Sequence, residues 1–356
     1  MKGLVLAGGT GTRLRPLTYS GAKQLVPVAN RPILFYVLDN LAEAGVHDVV
    51  VIVSPETGRE VQAALGDGSR WKSRLHFIVQ SHPGGLAHAV KVAAPALGQD
   101  DFCMFLGDNL IGTKIGQAAD EFRSSPELSA LVMLKEVANP SSFCVAEVNA
   151  AGEVVRLVEK PAHPKSNLAL VGIYFFRPTI FAAIDRIRPS ARGELEITDA
   201  IGELLSSGGS VRFARVGSWW LDTGKKDDLL LANDTVLDSW LSPEILGAVD
   251  PESKIIGRVR IEPGARVVRS VIRGPTIIGE GATITDSRIG PFTSVGPAVR
   301  IERSAVDRCV IMEGSAIEGV ERLEDSLVGR RVAVHRGARA GQTLSLLVGD
   351  DCRIEL

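Results

Sequence analysis

The chain has 356 residues, 45% of them hydrophobic and 23% charged, with a formal net charge of −2. That length exceeds one ordinary core, so two domains, or one large domain followed by a repeat array, are expected. The near-neutral balance gives no reason to expect nucleic acid or a membrane surface as partner, so any phosphate must be held by local basic sites. The N-terminus lacks the basic segment and apolar core of a signal peptide, and no apolar run approaches a bilayer span, which points to the cytoplasm. Cys103, Cys144, Cys309 and Cys352 show neither CxxC spacing nor the density of a disulfide scaffold, and are expected to be small buried hydrophobes.

From Met1 to about Leu230 strands alternate with helices, as an α/β sheet with helices on both faces requires. The first strand, Gly3 to Ala7, runs directly into Gly8-Gly9-Thr10-Gly11-Thr12-Arg13 and then reaches Lys23-Gln24. Glycines accept positive φ, so successive N–H groups can turn toward one anion, and Arg13 and Lys23 add positive charge. The dinucleotide fingerprint fails because Leu14 stands where its third glycine is needed, and no Gly-Lys-Ser/Thr closes a P-loop. Nucleotidyl transfer fits this loop better than hydride transfer or ATP hydrolysis. The plain alternative is a Gly-rich turn between a strand and a helix.

Pro32 is suited to open the next helix, Ile33 to Ala44 carries its apolar face, and Gly45 supplies the stop before a strand at Asp48 to Val53. Leu75 to Gln80 reads as a strand, Gly85 to Ala94 as a helix ended by Pro95, and Phe102 to Leu106 as a buried strand ending in Gly107-Asp108-Asn109. Ligands of open α/β sheets sit beyond the carboxyl ends of the strands, so the glycine loop and Asp108 should face one crevice.

After Pro251 the helical period disappears and aliphatic residues recur about every six positions: Ile255, Ile261, Val267, then Ile272, Ile278, Ile284, then Ile289, Val295, Ile301. The triplets repeat with a spacing of seventeen, and Pro263-Gly264 is matched in phase by Glu280-Gly281. A three-sided parallel β-helix explains this, each face contributing one inward aliphatic per rung; a β-sandwich with coincidental spacing is the alternative. The phase slips after Val306, and Ile311 and Ile317 reappear as Val328 and Val334. The expected domains are residues 1–235, a connector at 236–250, and the repeat array with its tail at 251–356.

Four further motifs stand out: Leu106-Gly107-Asp108-Asn109, Glu159-Lys160-Pro161, Arg192-Gly193-Glu194-Leu195-Glu196-Ile197-Thr198-Asp199, and Trp220-Leu221-Asp222-Thr223-Gly224. With the glycine loop, and in this order, they resemble the sugar-1-phosphate nucleotidyltransferases, and more closely the long form of the glucose-1-phosphate thymidylyltransferases. The resemblance covers essentially the whole chain. It implies an α/β fold, a Rossmann-like nucleotidyltransferase domain with a mixed, mostly parallel sheet, followed by a left-handed parallel β-helix. The left hand comes from the resemblance alone, since parallel crossovers are ordinarily right-handed.

The implied reaction is attack by the phosphate of α-D-glucose 1-phosphate on the α-phosphorus of dTTP, giving dTDP-glucose and pyrophosphate without a covalent intermediate. Charge neutralisation and alignment dominate such a barrier. The resemblance assigns Mg²⁺ to Asp108 and Asp222, and two strand-end carboxylates suit an ion that completes its shell with water and phosphate. An isolated Asp222 would otherwise read as a turn carboxylate.

Other roles are likewise implied by the resemblance. Leu6, Gly8, Gly9, Gly11, Thr12, Arg13, Lys23, Gln24, Gln80, Gly85 and Asp108 fall on the nucleotide side, with Gln80 and Gly85 matching the base-contacting segment and Arg13 nearest the leaving pyrophosphate. Gly107, Asn109, Cys144, Glu159, Lys160, Val171, Arg192 and Trp220 fall on the sugar-phosphate side. Arg13, Lys23, Asp108, Lys160 and Asp222 form the implied catalytic set. A guanidinium at Arg192 suits phosphate because its fork meets two oxygens together, although Glu159-Lys160 or Arg192 alone would read as solvated surface charges. Phe143-Cys144 departs from the family's aromatic-Gly pair; no histidine adjoins Cys144, and direct displacement needs no nucleophilic thiol.

UTP is the alternative nucleotide, because one methyl separates thymine from uracil by only about 1 to 3 kcal/mol. A second class is a sugar-nucleotide acyltransferase using His335 of the β-helix, beside Arg336-Gly337; a third is a non-catalytic scaffold. The resemblance also implies a homo-oligomer.

Overall fold

Uninterrupted runs of β-branched and large apolar residues make buried parallel strands, and three of them found the first half of the molecule. Lys2–Leu6 lies between Asp48–Val53 and Phe102–Leu106, parallel to both, with Arg74–Val79 at the edge beyond Asp48–Val53. The computed structural model describes residues 1–9, 11–336, 344 and 346–355; Thr10 of the glycine loop and Gly337 beside His335 lie outside the described residues. Leu168–Phe176, buried at every position, runs antiparallel to Phe102–Leu106 and carries Leu128–Glu136 and Cys144–Val148 on its other side, within a nine-stranded mixed sheet. Packing divides the chain into two units, Met1–Thr10 with Ile33–Asp222, and Gly11–Pro32 with Thr223–Leu356. The glycine loop is therefore shared out between them.

In the first unit the helix Ile33–Glu43 ends as expected. Gly45 takes φ 71°, and Val46 N–H reaches back to the Leu41 carbonyl at 2.9 Å, the bond that closes a glycine-terminated helix. Pro32 is not its first residue; it pairs with Pro27 in a short hairpin belonging to the second unit. The helix expected to stop at Pro95 runs Leu86–Leu97 and is closed by Gly98 at φ 64°. Proline removes one N–H and crowds one carbonyl a turn back; in the final turn that cost is outweighed by burial of Ala93 and Leu97 in the core.

The second unit bears out the seventeen-residue repeat. Ile255, Ile272 and Ile289 stack in register, as do Ile261, Ile278 and Val295, and Val267, Ile284 and Ile301, on three parallel sheets. These sheets are consistent with the left-handed β-helix that the resemblance implies. The slip in phase is one residue: Ile289 still pairs with Val306, but Val295 pairs with Ile311, sixteen positions on. Residues 236–250, expected as a connector, are helical up to Trp240 and then supply two short strands, Glu244–Ile245 and Ala248–Val249, that pair with the first coil.

The repeat also contains a feature that the aliphatic period does not show. Ser253, Ser270, Ser287 and Ser304 stand seventeen apart, and each hydroxyl accepts the backbone N–H one coil on: Ser270 N–H to Ser253, Ser287 N–H to Ser270, Ser304 N–H to Ser287, all at 3.0–3.1 Å. Ser270, Ser287 and Ser304 each donate to the carbonyl two residues back. A corner that turns too sharply for ladder pairing thus keeps its buried N–H groups satisfied.

Cys103 and Cys309 are buried and Cys144 is half-buried, but Cys352 is exposed, contrary to expectation, because it follows a turn of the terminal coil. All four are free thiols. No helix among the described residues is long and apolar enough to cross a membrane.

Candidate active site

Two strand ends open the site in the first unit. Leu6 is in register with Leu106, Ala7 N–H donates to the Ile52 carbonyl at 2.7 Å, and Gly107 N–H donates to the Leu6 carbonyl at 2.9 Å, so Gly8 and Gly107-Asp108 leave the sheet side by side. Gly8 is not in the left-handed region, and a Cβ there would make only ordinary contacts with the end of the Asp48–Val53 strand. Successive positive φ angles are therefore not the device that shapes this part of the loop; the strand ends do it.

Asp108 is brought to Asp222 by a two-stranded ribbon. Trp220–Asp222 runs antiparallel to Asn109–Ile111, with Asp222 opposite Asn109, so residues 108 and 222 share one end of the ribbon although 114 positions separate them (222 − 108). Among the described residues no group of three or more His, Cys, Asp and Glu side chains gathers as a metal cage. A pair of hard carboxylate oxygens without soft or nitrogen donors fits Mg²⁺, which uses one or two carboxylates and leaves its other positions to water and phosphate.

Asn109 fastens this ribbon to the sheet. It is buried, its Nδ2 donates to the Val171 carbonyl at 2.8 Å, and its Oδ1 accepts from Trp220 Nε1 at 3.3 Å. Gly172 makes room for it: φ there is 77°, the register of the strand shifts between Leu170 and Tyr174, and an added Cβ would stand 2.3 Å from Asn109 Nδ2. Asn109 Nδ2 and the Val171 carbonyl thus engage each other, while Asn109 Oδ1 is engaged by Trp220.

Among the residues that the resemblance gives to the sugar phosphate, Trp220 packs against Phe143, ring centroids 5.2 Å apart, and Cys144 lies opposite Glu159 in an antiparallel pair. The Cys144 side chain packs against the main core. Burial, reinforced by the Glu159 carboxylate, pushes its thiol up to about 12, so it is protonated at neutral pH and unsuited to attack. Lys160 follows with φ 40°, a strained conformation for a residue other than glycine, fixed by its N–H on the Phe143 carbonyl at 3.1 Å. Its ammonium is 3.7 Å from Glu159 and both side chains are about half exposed, so this pairing holds neither in place strongly. Arg192 donates to Glu196 at 2.9 Å and approaches Glu194 at 3.7 Å; the Glu196 bond is the main reason its pKa is raised.

Gln80 and Gly85 contact each other, and His88 joins them. Gln80 Nε2 lies 3.3 Å from the Gly85 carbonyl and 2.8 Å from His88 Nδ1. Burial, then the neighbouring His82 and Lys91, lower the His88 pKa, so the ring is neutral and Nδ1 can accept. With its amide nitrogen engaged, Gln80 offers Oε1 as an acceptor to a ligand. Gly85, at φ 98°, is required by packing: a Cβ would lie 2.5 Å from the Leu195 carbonyl, which accepts from Ala87 N–H, while Leu195 N–H donates to Gly84. Spacing gave no warning of His88, which carries no motif, and the Arg192–Asp199 motif gave no sign that Leu195 packs against Gly85.

The remaining residues, Gly11 to Gln24, lie in the second unit. Gly11 has φ 61°, its carbonyl accepts from Thr18 Oγ1 at 2.7 Å, and Thr12–Leu14 form a single 3₁₀ turn directly after it. An added Cβ would stand 2.9 Å from Lys23 Cβ, so here the glycine is indispensable. Lys23 and Gln24 are buried. The Arg13 guanidinium lies against Gly224, where an added Cβ would stand 3.0 Å from Arg13 Nη2. His335, the residue on which acyl transfer would depend, is 3.4 Å from Glu318 on the charged exterior of the β-helix.

Residues 2–239 match the family described as nucleotidyl transferase. The chain belongs to that family. It is 49% identical over 356 residues to a glucose-1-phosphate thymidylyltransferase of Streptomyces antibioticus, an alignment covering 100% of this chain and 99% of the relative. A low-salt glycan biosynthesis nucleotidyltransferase of Haloferax volcanii is 41% identical over 365 residues, with 100% of both chains covered. A crystal structure of a Bacillus anthracis protein assigned as a glucose-1-phosphate thymidylyltransferase, in complex with sucrose, superposes with a TM-score of 0.62 at 34% identity, covering 65% of this chain and 94% of that one. Similarity to the Streptomyces and Haloferax proteins thus extends through the β-helix, whereas the Bacillus chain matches about two-thirds of the molecule.

Proposed function

We propose that the protein transfers a thymidylyl group from dTTP to α-D-glucose 1-phosphate, forming dTDP-glucose and releasing pyrophosphate. The observation that carries this reading is the ribbon that sets Asp108 and Asp222 together beside the strand ends bearing Gly8 and Gly107. Whole-length similarity to a glucose-1-phosphate thymidylyltransferase supports the choice of substrates.

In this reading the amides of Gly8, Gly9 and Gly11, with Arg13 and Lys23, bind the triphosphate, Arg13 compensating the charge that grows on pyrophosphate. Lys160 and Arg192 hold the sugar phosphate, a task for which the guanidinium fork is suited, while Glu159 accepts from sugar hydroxyls. One phosphate oxygen of the sugar forms a bond to the α-phosphorus as the bond to the bridging oxygen of pyrophosphate breaks, and no enzyme group is covalently modified. Asp108 and Asp222 would hold Mg²⁺, which when bound neutralises phosphate charge. Alignment of two polyanions is the dominant task, and fixed cations perform it without reorganising at the moment of reaction.

The base is read by Gln80, whose Oε1 accepts from the N3–H of thymine or uracil; cytosine lacks that donor. The decisive assay supplies each nucleoside triphosphate with glucose 1-phosphate and Mg²⁺ and measures pyrophosphate. Release with dTTP, less with UTP and none with CTP is expected, and silence with every triphosphate removes the proposal.

A further inference from the structure

The segment from Gly11 to Pro32 packs with the β-helix as part of one unit, and two anchors secure it there. The first is a hairpin tip. Pro27–Val28 pairs with Arg31–Pro32, and the turn between them, Ala29 and Asn30, is left-handed at both residues, φ 49° and 61°. This is the tight-hairpin geometry, but alanine is a costly occupant of it. Side chains hold the tip in place: Asn233 Oδ1 accepts from Ala29 N–H at 3.0 Å, and Asn30 Nδ2 donates to the Val295 carbonyl at 2.6 Å. Asn233 is itself fully buried on the helix Lys226–Trp240, donating to the Phe292 carbonyl at 2.9 Å and accepting from Ser294 Oγ at 2.6 Å. One carboxamide therefore joins the hairpin, the helix and a middle coil of the β-helix.

The second anchor lies on the terminal coil. Ser20 Oγ donates to Asp350 Oδ2 at 2.8 Å, and Gly349 fits so closely against Pro16 that a Cβ would stand 2.9 Å from its carbonyl oxygen. Asp350 is fixed from behind, accepting from Arg330 N–H at 2.7 Å. Lys23 and Gln24 run between the two anchors, and Arg13 precedes both.

We infer that the β-helix clamps the triphosphate-binding segment, with Asn30, Asn233 and Asp350 as positioning residues that preset Arg13, Lys23 and Gln24 for the nucleotide. The inference rests on the role given to that segment under the proposed function. A segment ordered before the ligand arrives does not lose that freedom on binding, so the clamp acts on nucleotide affinity. The sugar phosphate is held by residues of the other unit and does not depend on it.

The test uses the full-length protein carrying Asn30→Gly and Ser20→Ala together. Glycine accepts the left-handed turn freely, so the hairpin keeps its shape while its bond to Val295 is lost. Loss of two such bonds is expected to raise the Kd and KM for dTTP by about tenfold, with the KM for glucose 1-phosphate within about twofold of the parent, kcat retained and the melting temperature unchanged. Protease cleavage within residues 11–32 should become faster in the absence of dTTP and return to the parental rate when dTTP is saturating. Parental dTTP affinity in the double variant, with affinity still lost in Lys23→Ala, discards the clamp and leaves the proposed function standing. Parental affinity in Lys23→Ala as well discards the assignment of the segment and the clamp with it. A fall in kcat and both affinities together, accompanied by a lower melting temperature, identifies a purely structural contact and also overturns the inference.

Discussion

The two units of this protein meet the same demand, burying an apolar interior with every backbone group paired, in opposite ways. In the β-helix each coil repeats the last, so Ile272, Ile289 and Val306 occupy equivalent rungs and Ser270, Ser287 and Ser304 equivalent corners. In the α/β unit the positions that matter for function are unique and break local rules: Gly172 interrupts the register of a buried strand to admit Asn109, and Lys160 takes a left-handed backbone. Periodicity builds the scaffold, and departures from regularity build the site. A substitution at such a position of the α/β unit should therefore alter chemistry at one point, whereas one among the coils of the β-helix should alter the stability of a stack.

The largest effect expected is on the carboxylate pair. Replacing Asp108 or Asp222 by Asn conserves shape but removes the charge, and loss of about 4 kcal/mol of transition-state stabilisation lowers turnover roughly 10³-fold. Pyrophosphate release measures it, and thermal unfolding should be little changed. Retained turnover in both variants would break the contrast between site and scaffold. Ile289→Ala is its opposite number, expected to cost about 2–5 kcal/mol of stability by emptying a fully buried rung, read from denaturant melts, with turnover per folded molecule preserved. Gly172→Ala tests the boundary between the two kinds. Its Cβ would collide with Asn109 in a backbone that disfavours it, so stability and turnover should fall together, the first by about 1–3 kcal/mol.

This contrast also explains what could be read in the sequence. Period alone carried the β-helix, because an inward aliphatic every sixth residue has few other solutions, and even the one-residue slip after Val306 was visible. The parallel strands and the paired exits of Gly8 and Asp108 followed from apolar runs that end in glycine. Other features had no local signature. That Gly11–Pro32 packs with the β-helix depends on contacts such as Asn30 with Val295, 265 positions apart. Pro95 signals a stop through its backbone alone, and the core contacts that favour the last turn have no local signature. His88 resembles any helical histidine until its ring is seen against Gln80. The serine ladder was within reach, since its spacing of seventeen equals that of the aliphatic rungs, but hydroxyls at corners read as ordinary turn residues.

A smaller effect is expected at one rung of that ladder. In Ser287→Ala the Ser304 N–H loses its acceptor while buried, and an unsatisfied donor of this kind costs about 1–3 kcal/mol. Half-buried Ser218 provides a poor control because its N–H donates to Thr113 Oγ1, so exposed Ser124→Ala on a solvent-facing helix is the appropriate comparison and should change stability by less than about 0.5 kcal/mol. Equal melts for Ser287→Ala and Ser124→Ala would show that the corners are held by the ladders alone.

The smallest effect tests whether the site, too, has a residue that acts only through a neighbour. His88 is held below the ordinary histidine pKa by burial, by His82 with its ring 4.5 Å away, and by Lys91. The unfolded chain binds a proton at the ordinary value near 6.5 while the folded chain resists, so stability is fully present above that pH and declines as pH falls toward the lowered folded pKa. Over the same range protonated Nδ1 ceases to accept from Gln80, which frees the carboxamide proposed to read the base. The KM for dTTP should therefore rise at acidic pH by a factor of about two to five, with kcat and the KM for glucose 1-phosphate following a different profile. His88→Gln supplies an acceptor that does not titrate in this range, and a parental pH dependence of the dTTP KM in that variant would refute the link from His88 through Gln80 to the base.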